Sequence, residues 1–164
     1  MAMKEKLLAY LDAHSVAYQH TTHPTAYTAR EVASAEHLPE HMVAKTVVFL
    51  NENGYGMAIL PADTVVNLEE LRIALGFHRL RLATEPELVE LFPNCELGAM
   101  PPFGNGALFE LPVYADSSMV AEDTIAFNAG THRDVVRMAW KDYQRLVKPT
   151  IVHFAQLVAG SANP

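Results

Sequence analysis

A chain of 164 residues, half of them apolar and 19% charged, fits one globular domain with a real core. Its formal net charge of −7 argues against a sequence-independent nucleic-acid binder, which needs a broad basic surface, although gripping only the end of a tRNA takes no more than a local positive patch. The single cysteine, Cys95, excludes an internal disulfide, and no run approaches the roughly 20 apolar residues that cross a bilayer.

Residues 3–13 place Leu7, Leu8 and Leu11 on one face and predict a helix, with the start of the chain leading into it rather than into a signal segment. Residues 16–20 read as a short strand. Thr28 followed by Glu31 has capping-box spacing and opens a helix over 28–37. Residues 44–50 are β-branched and aromatic; Asn51-Glu52-Asn53-Gly54 turns the chain, and 55–60 return as the second strand of a hairpin. Asn67 caps a helix to 75 that Gly76 stops. A strand at 79–83 and a helix at 85–91 starting near Pro86 come next. The Pro/Gly stretch from Gly98 to Gly106 is a loop inside the domain. Strands are expected at 107–110, 112–116, 123–128 and 133–138, and a helix at 140–146. The mixture lacks a regular βαβ rhythm and predicts an α+β fold with a mixed, strongly curved sheet.

The common catalytic signatures are absent: there is no Gly-x-Ser-x-Gly elbow, no phosphate loop and no Gly-x-Gly-x-x-Gly. Cys95 lacks a matched partner and reads as structural. Eight histidines raise the question of a metal. His37 and His41 have the spacing of a zinc-binding helix, but Pro39 between them breaks that helix, and no metal is expected. Arg72, Arg79 and Arg81, with His78 among them, form the densest basic cluster; they read either as an RNA-facing patch or as a solvated helix end and strand.

Lys45 stands near the start of the most apolar strand, sharing a face with Val43, Val47 and Phe49. An ammonium in that setting is costly unless a carbonyl oxygen, phosphate or carboxylate meets it; the alternative is a lysine snorkelling at a strand edge. The loop Gly98-Ala99-Met100-Pro101-Pro102-Phe103-Gly104 is stiffened by prolines and opened by glycines. It reads either as a connection or as a cradle whose N–H groups meet an oxyanion. Asn128, Thr131 and His132 sit on a strand-ending turn, which is a good hairpin turn and also carries a histidine suited to work near neutrality.

These segments, in this order, resemble the YbaK / prolyl-tRNA-synthetase-associated family over about residues 5–155. The matching pieces are His23-Pro24-Thr25-Ala26-Tyr27-Thr28, Ala44-Lys45-Thr46-Val47-Val48-Phe49, Leu60-Pro61-Ala62-Asp63, the Gly-x-x-x-Pro loop Gly98 to Pro102 with Phe103-Gly104, and Phe127-Asn128-Ala129-Gly130. The resemblance implies a mixed, barrel-like sheet flanked by helices, in one domain spanning 1–164. It also implies hydrolysis of the ester between a mischarged small amino acid, such as alanine or cysteine, and tRNA, with tRNA-Pro the expected carrier. Lys45 would be the essential residue. The substrate would be held by Tyr27 (a candidate lid), Thr28, Thr46, Phe49, the loop residues Gly98, Ala99, Met100, Pro101, Pro102 and Gly104, and Asn128 and His132. The segment after Gly130 departs from the Cys-tRNA-specific branch, which leaves the amino acid open. The expected partners are the aminoacyl-tRNA acceptor end and an aminoacyl-tRNA synthetase, with no cofactor, no membrane and no DNA, in the cytoplasm. Two rival classes stand beside this: a non-catalytic module binding a nucleotide or aminoacyl analogue, and a small-molecule ester hydrolase that does not use tRNA.

Overall fold

Met3, Leu7 and Leu11 recur at helical spacing and are buried, which makes Met3–Ala13 the helix α1 in the computed structural model, whose described residues are 2–158. The strand β1 follows at Tyr18–Thr22, two residues later than the sequence predicts. The helix α2, Ala29–Glu36, is capped by the Thr28 hydroxyl, which accepts the Glu31 N–H at 3.0 Å. It ends at His37 in the left-handed region, and His41 lies beyond Pro39 in a short 3-10 turn, so the two histidines share no helix.

The predicted hairpin is β2 (Ala44–Asn51) and β3 (Gly54–Pro61), antiparallel with Lys45 opposite Leu60 and Asn51 opposite Gly54. Gly54, at φ 127°, takes the turn position a side chain would resist. A three-residue strand β4, Thr64–Val66, comes next. The helix α3 (Leu68–Leu75) has the Asn67 cap and Gly76 stop read from its sequence. Beyond it are β5 (Leu80–Leu82) and α4 (Glu85–Leu91), the latter opened by a full capping box between Thr84 and Glu87.

The expected strand at 107–110 does not form. The amides of Leu108 and Phe109 both turn back to the carbonyl of Phe103, and Gly106 donates to Phe109, so the segment coils into a tight loop. The remaining strands are β6 (Val113–Asp116), β7 (Thr124–Asn128) and β8 (Asp134–Ala139), then β9 (Thr150–Val152) and β10 (Ala155–Leu157) after the helix α5, Trp140–Val147.

Among the described residues the strands form a five-stranded sheet in the order β5-β2-β3-β6-β9, a three-stranded sheet β1-β8-β7 and a ribbon β10-β4. The larger sheet is mixed, with β2 antiparallel to β3 and β5 but β6 parallel to both β3 and β9. A parallel bridge from Val43 to Ala126 joins it to the smaller sheet, curving the wall without closing it into a barrel. The helices flank this α+β wall. Leu7 and Leu11 of α1 and Trp140, Tyr143 and Val147 of α5 pack with Ile59, Phe103 and Phe127 in one core. Val32 and Ala33 of α2 pack on Val43, Ala62 and Ala126 in another, which fixes the start of α2 against the end of β3.

Candidate active site

Lys45 lies two residues past the Val43–Ala126 bridge on β2, and Asn128 two residues past it on β7. The bridge brings the start of β2 against β7, but Asn128 is not among the residues that line the Lys45 cleft. The Lys45 side chain is half-buried on the wall of a cleft of about 320 Å³. Thr46 and Ala62 form the rest of that wall, and the start of α2, from Tyr27 through Thr28 and Ala29 to Arg30, faces them. Gly98 and Val158 complete the rim.

Among the described residues the Lys45 ammonium makes no hydrogen bond and no ion pair. Burial pushes its pKa below the usual lysine value, and the Arg30 cation adds to that, while the carboxylate of Asp63 acts the other way. Asp63 itself has a buried carboxylate oxygen, Oδ1, without a hydrogen-bond partner. Arg30 is held in place by Glu40, Nε to Oε1 at 2.9 Å. Two cations thus converge on the first turn of an eight-residue helix, where the peptide dipole also favours negative charge. Arg30 was not singled out by the sequence; its position two residues beyond the Thr28 cap was the available signal.

The glycine-proline loop divides at its first residue. Gly98, at φ 84°, reaches the cleft, and its amide has no backbone partner among the described residues. The residues after it do not line the cleft. The Ala99 carbonyl accepts the Gly130 N–H at 2.9 Å, Met100 packs with Val48 and Phe92, and Pro101 and Pro102 are buried. The Pro102 carbonyl accepts the Tyr143 hydroxyl at 2.7 Å. A Cβ on Gly104 would stand 2.3 Å from the Leu111 carbonyl, so that glycine serves close packing rather than ligand approach. Phe49 is likewise removed from the cleft: it lies over Gly56 in a core shared with Phe77 and Tyr114, because four residues along a strand carry it well past the lysine.

His132 is brought to the rim. Its Nε2–H donates to the Leu97 carbonyl at 2.7 Å, its backbone N–H donates to Glu96 at 2.9 Å, and its ring lies 5.2 Å from that of Tyr27. The bond to Leu97 leaves Nδ1 as a buried acceptor without a partner. Tyr27 is 70% exposed over this ring, the place of a cover. Asn128 Oδ1 is also buried without a partner.

Two of the three arginines in the basic cluster are paired with carboxylates. Arg72 pairs with Glu69 at 2.6 Å, and Arg81 forks onto both oxygens of Glu87 at 2.8 and 3.1 Å. Cys95 lies outside the cleft, and burial pushes its thiol up to about 12, which leaves it unreactive.

A half-buried lysine, an arginine at a helix start and Gly98 meet in one cleft, and neither serine nor cysteine lines it. The chain belongs to the aminoacyl-tRNA editing domain family, whose model matches residues 23–146, and it is by that membership an aminoacyl-tRNA deacylase acting on the ester bond. It is 31% identical over 155 residues to the multifunctional Ser/Thr-tRNA deacylase ProXp-y of Escherichia coli K12, covering 92% of this chain and 91% of that protein. It is 32% identical over 81 residues to the proline–tRNA ligase of Thermosipho africanus, covering 49% of this chain and 14% of the ligase. A solved protein described as a candidate trans-editing enzyme for prolyl tRNA synthetase shares the fold at a TM-score of 0.81 and 22% identity, over 95% of this chain and 98% of the other. Among the described residues no helix is long and apolar enough to cross a membrane.

Proposed function

We propose that this protein clears a small, wrongly attached amino acid from the terminal ribose of tRNA in trans, with Lys45 polarising the acyl group. One observation carries the reading: an ammonium without a partner is held half-buried in a cleft that also presents Arg30, the start of α2 and the Gly98 amide. A charge kept there at a desolvation cost has a purpose when a ligand oxygen meets it.

In this reading the ester carbonyl lies between Lys45 and the Gly98 N–H, and Arg30 with the start of α2 meets the phosphates of the tRNA end. A water, which the neighbouring ribose hydroxyl can help to orient, adds to the acyl carbon and gives up a proton. The developing oxyanion is met by the ammonium; the bond to the ribose oxygen breaks, and that oxygen takes up the proton. Positioning and charge stabilisation are the protein's share. Tyr27 closes over the acyl group, and the free acceptors of Asn128 and His132 receive substrate N–H or O–H groups.

The cleft suits small side chains, for which synthetase discrimination is weakest, at about 1–3 kcal/mol per methylene. Alanine and cysteine on tRNA-Pro are the expectation from the sequence; the name of the Escherichia coli relative adds serine and threonine. The likeness to proline–tRNA ligases supports prolyl-tRNA synthetase as the working partner. The test is a deacylation panel of tRNA charged with these four amino acids. Lys45→Ala abolishes hydrolysis while the circular dichroism spectrum is retained; full activity in that variant discards the assignment. The neutralised Arg72 and Arg81 favour a second reading, hydrolysis of small aminoacyl esters away from tRNA. Equal rates on aminoacyl-adenosine and on intact aminoacyl-tRNA select it.

A further inference from the structure

Nine residues line the cleft, and eight of them fall within the stretch 23–146 that matches the family model; Val158 does not. Its backbone N–H donates to the Asp63 carbonyl at 3.1 Å, directly beside the carboxylate that acts on Lys45. The segment leading to it is firmly tied down. β10 pairs antiparallel with β4, Gln156 opposite Val65 and Leu157 opposite Thr64. Phe154 is fully buried with Leu60 and Leu71. The N–H groups of Phe154 and Ala155 both donate to one oxygen of the buried Asp116, at 2.8 and 2.7 Å.

The tie explains how a residue remote from Lys45 in sequence becomes a fixed wall. Asp116 ends β6 and anchors the entry to β10; the β4 ladder sets the register; and the Asp63 carbonyl receives the next amide. Ala29, Ala62 and Val158 are the aliphatic members of a lining that otherwise carries Tyr27, two threonines, Arg30, Lys45 and Gly98, and Val158 is the largest of the three. An acyl group whose carbonyl is held at Lys45 directs its side chain toward an apolar boundary rather than toward a cation.

We infer that Val158, fixed by β10, is a specificity-determining residue that sets the largest amino-acid side chain the cleft admits. The inference rests on the deacylase reading above and adds a size limit supplied from outside the family-matched stretch. A rigid wall discriminates by overlap, and the difference of a methylene or two in a closed pocket corresponds to roughly 10- to 200-fold in rate.

The experiment compares hydrolysis of alanyl-, seryl-, threonyl- and valyl-tRNA by the full chain and by Val158→Ala and Val158→Phe, with thermal melting of each. Val158→Ala raises the threonyl-to-alanyl and valyl-to-alanyl rate ratios by tenfold or more. Val158→Phe lowers them by a similar factor, or blocks every ester, with its melting temperature kept. Ratios within twofold of the starting protein in both variants overturn the inference. Lys45→Ala run alongside separates the two readings: if it is inactive while the Val158 ratios stay flat, only the wall is wrong, whereas full activity in Lys45→Ala removes the deacylase site itself.

Discussion

Replacing Lys45 by methionine removes the ammonium and keeps an unbranched stem of similar reach in the same half-buried place. Two effects follow with opposite signs. At an effective dielectric of about 20, a unit charge about 4 Å from a developing oxyanion is worth about 4 kcal/mol. Half-exposure of the group reduces that to about 2.5–3 kcal/mol, or about 100-fold in rate, in line with the loss of one oxyanion donor elsewhere. Stability moves the other way. Burial lowers the lysine's pKa in the fold, so the charged form is penalised at every pH below that lowered value, and the penalty fades as pH rises toward the ordinary 10.5. Lys45→Met removes it, and at pH 7 the variant melts at or above the temperature of the starting protein. The alkaline loss of the lysine-dependent rate, measured after subtracting spontaneous ester hydrolysis, falls below pH 10.5 for the same reason. Single-turnover deacylation and thermal denaturation at pH 7 are the two assays. A variant that loses several degrees of melting temperature together with activity refutes the reasoning, because it makes Lys45 a structural residue.

Asp116 is buried, and although burial pushes its carboxyl up, the N–H groups of Phe154, Ala155 and Ser118 and the Ser118 hydroxyl hold it below its usual value. Its contribution is therefore present above the unfolded carboxylate pKa and lost as pH falls through the lowered one. Asp116→Asn costs about 1.5–3 kcal/mol at pH 7 and flattens the acid decline of stability below about pH 4, measured by urea denaturation across pH. Gly130→Ala meets two obstacles at once, a φ of 95° and a Cβ 2.9 Å from that of Met3, and lowers the melting temperature by about 2–4 °C for each of an expected 1–3 kcal/mol.

The elements with local chemistry were legible from sequence. Thr28 before Glu31, Asn67 with Gly76, and the Asn51–Gly54 turn all appear where their side chains demand. Lys45, Tyr27, Thr28, Thr46 and Gly98, all quoted from sequence motifs, line one cleft. What was hidden depends on partners distant in sequence. β4, β9 and β10 are three residues each, too short to show alternation, and they exist through ladders to strands many residues away. The loop from Ala99 to Gly104 carries the motif's prolines for packing, as the Tyr143–Pro102 bond shows, and that division between its ends has no signature in residue type. Val158 entered the site by topology alone, while Arg30 follows the Thr28 cap by two residues.

The cleft wall gathers Lys45 from the first third of the chain, Gly98 from the middle and Val158 from near its end, while β6 pairs with β3 before it and β9 after it. During synthesis the N-terminal strands leave the ribosome long before the segment that borders their ligand. Until residue 158 has cleared the exit tunnel, the rim lacks one of its sides. The site is therefore assembled late relative to its first strands, a timing that follows from contacts so widely spaced along the chain.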